Sequence, residues 1–235
     1  MSRFLVDSLR AHALLFERPP APAYGNAIGT RLLVAFVAVA IGFFFALRAA
    51  LDAAGLRGPP ANLAFVVALL AAFVLAQRFY VGLPWAGIGL RPFADWTRRE
   101  RLYVFQVVPL AVVAFSVVFA DHLRALLERH GPAGFLFFSV LTGLLWGMVQ
   151  EILYRGWLQT ELTRRFGMVA GLLAANVLFT FGPLHFDYLV GPGAVRWSGL
   201  AAIFGIGLFF GLVYCRSGNV WIPAALHGLW PLNMA

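Results

Sequence analysis

A glutamate and an arginine, Glu151 and Arg155, interrupt a strongly apolar part of this chain and are the first candidates for chemistry. Residues 134–149 before them carry no ionisable side chain. A charge at bilayer depth is costly unless it is paired or faces a water-filled cavity, so charges there indicate a functional site. The two residues are four apart on one helical face, with the acid before the base, which favours an ion pair. The alternative is a buried salt bridge that only fixes how helices pack.

Two histidines can join this pair inside the membrane. If the helices flanking Phe166 and Gly167 form a hairpin, Glu151 and His185 lie roughly 23 and 27 Å from its turn. A carboxylate and an imidazole at similar depth can hold and activate a water molecule as general bases. His227 adds a third ionisable group near the end of the chain. A single intramembrane histidine more often bonds a neighbouring helix, but two histidines with an acid and an arginine favour chemistry.

The composition excludes an ordinary soluble protein, because 61% of the residues are hydrophobic and only 12% are charged. It is typical of a polytopic membrane protein. The apolar runs predict an all-α transmembrane helix bundle with about seven spans, near residues 32–47, 61–76, 102–120, 134–165, 168–184, 197–215 and from 219 onward. Residues 121–132 are expected to form a loop in which His122 and His130 are solvated.

These spans divide into three parts. Residues 1–30 form an N-terminal cytoplasmic or interfacial segment, residues 31–133 hold three helices with an interfacial connection, and residues 134–235 form a core of four helices. The first apolar stretches are broken by charges, so they do not form a cleavable signal peptide. Cys215 is the only cysteine, which excludes an intrachain disulfide.

The charge of the chain suits a membrane surface. Its net charge is +8, and all 18 basic residues are arginine. No nucleic-acid recognition motif accompanies this charge, so we expect membrane lipid as a partner and no nucleic acid. Most arginines gather on one side when the N-terminus and the loops after the second, fourth and sixth spans share that side. The positive-inside rule therefore predicts a cytoplasmic N-terminus. The oligomeric state is not predicted.

Three motifs in sequence order resemble the CPBP family of intramembrane proteases, which includes the CAAX prenyl endopeptidases and bacteriocin-processing and immunity proteins. They are EILYRG at residues 151–156, FGPLH at residues 181–185, and GLVYCRSGNVW at residues 211–221, which leads to His227. GLRP at residues 89–92 is similar to the interfacial segment of the family. The first two spans carry no such signature.

This resemblance implies peptide-bond hydrolysis by a water activated by the acid of the first motif and His185. His227, usually with an asparagine four residues later, would stabilise the oxyanion. The family has also been described as metal-dependent, and Glu151, His185 and His227 would then be zinc ligands. A glutamate-activated water needs no metal, so no cofactor is expected to be required.

Two residues depart from the family pattern. Gln150 stands where the family has the first of two glutamates, to which water activation is usually assigned, and glutamine cannot take up a proton from water. Pro231 stands where the family has asparagine, and Asn233 substitutes for it only if the helix breaks at Pro231. Three explanations remain open: Glu151 acts as the base, the chain is catalytically disabled, or it keeps the cavity for another use.

We therefore expect an intramembrane endopeptidase that cuts a membrane-anchored or lipidated peptide, in the cytoplasmic membrane of a bacterium. The candidate site residues are Glu151, His185, His227, Gln150, Arg155 and Asn233. The alternative is a catalytically impaired family member that acts as a membrane scaffold, an immunity protein or a transporter-like binder. A transporter is expected to show paired halves with interrupted helices, and no such symmetry is apparent in the sequence.

Overall fold

The computed structural model describes residues 24–190 and 195–228, and every regular element within them is helical. The predicted all-α architecture is therefore confirmed. Residues 1–23, which make up most of the predicted N-terminal segment, lie outside the described residues, as do Pro231 and Asn233.

Six helices in the described part of the chain are long and apolar enough to cross a membrane. They are α1 (Asn26–Ala53), α2 (Pro59–Val81), α3 (Arg98–Val118), α4 (Ala120–Phe166), α5 (Met168–His185) and α6 (Trp197–Ser217). A further helix, α7 (Trp221–Gly228), follows, and its eight described residues are too few to cross a membrane. The long helices correspond to the first six predicted spans, and α7 is the described part of the seventh.

The middle of α4 is the centre of the bundle. Every residue from 149 to 161 is buried, and α1, α2, α5, α6 and α7 all contact this helix. The surrounding helices expose large apolar side chains, such as Val117 at 72% and Phe105 at 67% in α3. Exposed apolar surface on this scale is typical of a face that contacts lipid. The polar side chains of α4 therefore lie on the inside, away from that surface.

A wide-turn π-helical stretch, Ile152–Gln159, lies within α4 directly after Glu151. The hydroxyl of Thr160 donates to the carbonyl of Arg155, five residues earlier, over 3.0 Å. Such π-helical turns occur frequently at functional sites, and they change the direction in which later side chains point. Hydrophobic periodicity alone does not reveal this change of pitch.

The hairpin between α4 and α5 turns where the sequence predicts it. Gly167, between Phe166 and Met168, has φ 83° and ψ 168°, a conformation that favours glycine. Gly171 packs against the backbone of Leu162 and Thr163, where a side chain would not fit. The predicted antiparallel hairpin is therefore confirmed.

The predicted loop at residues 121–132 is wrong, because α4 already begins at Ala120. Asp121 and Arg124 form an exposed ion pair of 3.4 Å, three residues apart, which supports a helix. Gly131, with φ 68° and ψ 171°, breaks the helix before its membrane-spanning part. His122 and His130 are therefore helical residues instead of loop residues, and both are partly buried.

An interfacial segment, residues 82–97, connects α2 to α3. It contains two short 3-10 turns, Trp85–Ile88 and Phe93–Asp95, and it exposes Trp85 and Phe93. Ile88 is fully buried, and its carbonyl oxygen lies against Gly156 of α4, 3.0 Å from where a Cβ would stand. This segment therefore packs directly on the central helix near the polar residues.

Candidate active site

A carboxylate and an imidazole form the centre of the candidate site. Glu151 Oε1 of α4 lies 2.7 Å from His227 Nδ1 of α7. The Glu151 side chain is fully buried, and the His227 side chain is 14% exposed. A polar pair inside an apolar bundle is costly unless both members are satisfied, so this contact binds α7 to α4.

Two glycines let the helices approach closely enough for this contact. A Cβ on Gly147, one turn before Glu151, would stand 2.7 Å from the Cα of Gly228 and 2.9 Å from the carbonyl carbon of His227. A Cβ on Gly228 would stand 2.7 Å from the Cα of Leu144. Small residues at helix crossings in membranes allow backbone contact. The crossing at Gly147 and Gly228 therefore determines which residue faces Glu151.

Arg155 holds the other carboxylate oxygen. Its Nε lies 3.2 Å from Glu151 Oε2, so the ion pair predicted from the spacing is present, although the two atoms are not aligned for a hydrogen bond. Its Nη2 donates to the Gly207 carbonyl of α6 over 2.8 Å, and its guanidinium lies 4.4 Å from the ring centre of Phe179 in α5. Arg155 therefore positions Glu151 and joins α4 to both α5 and α6.

His185 lies beside the pair but does not contact Glu151 through its Nδ1 atom, which instead is 2.8 Å from the Phe179 carbonyl. The hairpin estimate assumed a continuous helix to His185. In the structure the α-helix ends at Phe181, Gly182 is extended, and His185 belongs to a 3-10 turn that starts at Pro183. The polar partners of the Glu151 carboxylate are therefore His227 and Arg155.

Phe179 is a site residue that the sequence reasoning missed. Its ring centre lies 4.9 Å from that of His185 and 5.9 Å from that of His227, both edge-on. It also lies under the guanidinium of Arg155. An apolar residue on a spanning helix gives no signal that separates this position from lipid-facing phenylalanines.

In both His185 and His227 the ring Nδ1 contacts an acceptor oxygen. The Nδ1 partner is a carboxylate for His227 and a carbonyl for His185, and both partners are acceptors. We therefore assign the hydrogen of each neutral ring to Nδ1, which leaves the lone pair on Nε2. A free Nε2 can accept a proton from water, so both rings have the tautomer of a general base.

Gln150 is buried at 3% exposure, and its Oε1 has no hydrogen-bond partner within the described part of the chain. A buried amide oxygen without a partner carries a desolvation cost, so this atom is available to a water molecule or substrate. Asn233, the candidate substitute for the asparagine missing at Pro231, lies outside the described residues.

The candidate zinc ligands do not form a cluster. Within residues 24–190 and 195–228, no group of three His, Cys, Asp or Glu side chains could hold a metal ion. The Nδ1 atoms of His185 and His227 are used by Phe179 and Glu151. Both oxygens of Glu151 also face His227 and Arg155, so Glu151, His185 and His227 do not fit a metal in this arrangement.

A second polar layer supports Arg155. One wide turn after Arg155, Gln159 Nε2 donates to the Gly211 carbonyl over 2.9 Å, just as Arg155 donates to Gly207. Asn176 of α5 donates to the Phe204 carbonyl over 3.0 Å. Arg155 and Gln159 are four residues apart on α4, as their acceptors are on α6, so the two helices make two parallel contacts. Sequence reasoning did not single out Gln159 or Asn176, although polar residues in apolar runs were a usable signal.

A second buried carboxylate, Glu161, lies at the end of α4 near the hairpin turn. Arg164 Nη2 contacts its Oε1 at 2.7 Å, Arg165 contacts the same atom, and the Tyr24 hydroxyl donates to Oε2 over 3.0 Å. Burial, and then the Glu161 carboxylate, raise the pKa of the Tyr24 phenol. All these partners are satisfied, so the cluster joins the start of α1 to the hairpin.

Comparison with known proteins assigns the part of the chain that carries the site. Residues 132–232 match the family model described as type II CAAX prenyl endopeptidase Rce1-like. The comparison with curated proteins and the comparison with solved structures each gave no match. The matched residues include Gln150, Glu151, Arg155, His185 and His227.

Proposed function

We propose, from the match of residues 132–232 to the Rce1-like CAAX protease family, that this chain is an intramembrane endopeptidase. It is an integral membrane protein with six helices long and apolar enough to cross a bilayer. The proposed substrate is a peptide held in the membrane by an anchor or a lipid. The proposed reaction is hydrolysis of one of its peptide bonds.

The single observation that carries this proposal is the contact between Glu151 Oε1 and His227 Nδ1 at 2.7 Å. A carboxylate that accepts the Nδ1 hydrogen fixes the tautomer of the ring and stabilises the imidazolium that forms when Nε2 takes a proton. Arg155 holds the second carboxylate oxygen and keeps Glu151 in this orientation. The pair therefore has the parts that a general base requires.

In the proposed reaction, Nε2 of His227 takes a proton from water, and the resulting hydroxide attacks the carbonyl carbon of the peptide bond. The C–N bond then breaks, and the imidazolium of His227 returns its proton to the leaving nitrogen. The products are a carboxylate and an amine. His185 accepts a hydrogen bond from the attacking water at its Nε2 and orients it. This assignment gives His227 the base role, whereas the resemblance implied an oxyanion role.

The proposed reaction needs no metal, because the buried pair can activate water by itself. We also propose that the basic end of the bundle faces the cytoplasm. Arg164 and Arg165 lie at that end and contact Glu161, and Tyr24, which also bonds Glu161, puts the start of α1 there too. The positive-inside rule favours this orientation, with the N-terminal side of α1 in the cytoplasm of a bacterium.

The test is cleavage of a mixed library of membrane-anchored and lipidated peptides by four purified proteins in liposomes. They are the unmodified chain, Glu151→Ala, Gln150→Glu, and the double variant. We expect the unmodified chain to cut and Glu151→Ala to lose activity in both backgrounds. Cleavage only by Gln150→Glu would instead identify a disabled protease that kept the fold, and undiminished cleavage by Glu151→Ala would refute the proposed role of Glu151 in supporting His227 as the base.

A further inference from the structure

A third buried carboxylate network lies where α7 begins. Glu100 of α3 is 2% exposed, and its Oε1 accepts from Asn219 Nδ2 at 3.2 Å and from Arg91 Nη1 at 3.0 Å. Arg91 Nη1 also donates to the Ser217 carbonyl over 3.2 Å. These contacts join the interfacial segment and the start of α3 to the turn between α6 and α7.

Asn219 uses both ends of its amide. Its Oδ1 accepts from the backbone N–H of Trp221 at 3.1 Å and so caps the first turn of α7. Its Nδ2 donates to Glu100. The side chain is fully buried, so neither contact is exchanged for water. Asn219 therefore links the cap of α7 to the carboxylate of Glu100.

The interfacial segment contacts the same turn through its backbone. The N–H of Val220 donates to the Gly89 carbonyl over 3.0 Å. Gly89 has φ 83°, and a Cβ there would stand 2.7 Å from the Tyr214 ring. Because the carbonyl of Ile88 also packs against Gly156, this one segment contacts both α4 and the start of α7.

We propose that Glu100 and Asn219 are positioning residues that hold His227 against Glu151. The proposal rests on the proposed function, which assigns His227 to the reaction. His227 is the seventh residue of α7, so a change at the first turn moves its ring as a rigid body. The Gly147–Gly228 crossing fixes the far end of α7, and the Glu100–Asn219 contact fixes the near end.

If Asn219 only caps α7, its contact with Glu100 does not affect His227. Exchanging the side chains of residues 100 and 219 separates this capping role from the proposed positioning role. Asn219→Asp keeps an oxygen that can cap Trp221, but it puts two carboxylates together. Glu100→Gln keeps the acceptor but leaves Arg91 without its carboxylate. The double variant Glu100→Gln/Asn219→Asp restores one amide and one carboxylate in exchanged positions, with the original total charge.

Two measurements are made on the full chain in lipid nanodiscs. The first is kcat and KM for a cleaved peptide from the library. The second is the NMR signal of the His227 Nδ1 hydrogen, which a bond to carboxylate moves far downfield. The chain has five histidines, and His227→Gln identifies the signal. Asp121→Asn, at a side chain that is 99% exposed, controls for the loss of one acidic charge in Glu100→Gln.

We expect Asn219→Asp to lower kcat by about 100-fold with little change in KM, because a displacement of about 1 Å can cost that much. The downfield signal is lost in the same variant, the double variant recovers both signal and kcat, and Asp121→Asn matches the unmodified chain. Circular dichroism verifies that each protein is folded.

Retention of the signal and of kcat in Asn219→Asp would overturn the proposal, since Asn219 would then only cap α7. A folded double variant that still lacks the signal would also overturn it. If no peptide is cleaved by any protein, the NMR signal still decides the positioning role, and the failure belongs to the proposed function alone.

Discussion

Gly147 and Gly228 are in backbone contact, and a Cβ on the first would stand 2.7 Å from the Cα of the second. Gly147 lies one helical turn before Glu151, and Gly228 directly follows His227. The contact therefore sets the spacing of the carboxylate and the imidazole, 2.7 Å apart. The geometry of the candidate site depends on two residues that carry no side chain.

Replacement of Gly147 tests this dependence. Gly147→Ala is expected to push α7 away from α4, destabilise the protein by about 1–3 kcal/mol and remove most peptidase activity. Gly205→Ala is the matched control, because nothing lies within 4 Å of a Cβ at this helical position. The control is expected to keep activity and gain up to about 1 kcal/mol. Thermal unfolding in detergent and peptide cleavage are measured, and equal effects of both variants would contradict the prediction.

Arg155 is expected to matter for stability because it compensates a buried charge. Arg155→Met leaves Glu151 with His227 alone and is expected to cost about 3–5 kcal/mol. Glu151→Gln in the same chain removes that charge and is expected to recover a large part of the loss. A double-mutant cycle by chemical unfolding measures the coupling between the two positions. Additive effects would show that the 3.2 Å ion pair contributes little.

Metal removal provides a third test. We expect peptide cleavage to continue after treatment with a chelator and dialysis, because the Glu151 carboxylate is already bound to His227 and Arg155. Metal content is measured by mass spectrometry on the same sample. Activity that falls with the chelator and returns on addition of zinc would require a different arrangement of Glu151, His185 and His227.

The Tyr24 hydroxyl predicts a pH dependence at the start of α1. The pKa of this phenol is raised in the folded protein, so its bond to Glu161 stabilises the fold below the ordinary tyrosine pKa of about 10. That contribution is lost as the pH rises through the folded pKa. Tyr24→Phe is expected to cost about 1 kcal/mol at pH 8. The difference between the two proteins should shrink at alkaline pH, as measured by unfolding at several pH values, and a constant difference would contradict it.

Local patterns were sufficient for the main helices and for one ion pair. Glu151 and Arg155 meet because residues four apart share a helical face, and this relation needs no other part of the chain. The turn at Gly167 was also readable, since Arg164, Arg165 and the glycine end one apolar run before the next begins. The helix at residues 120–130 was missed because its charged residues resemble a loop in hydropathy, although their spacing suits a helix.

The sequence by itself determined the spans, the polar residues within them and the resemblance of three motifs to a protease family. Only the tertiary structure decided that Glu151 faces His227, that His185 turns to the Phe179 carbonyl, and that Glu100 reaches Asn219. Helical spacing fixes contacts within one helix, because the pitch is a property of the backbone. Contacts between helices depend on their relative depth and rotation, which glycine crossings and buried polar pairs set only when the helices pack.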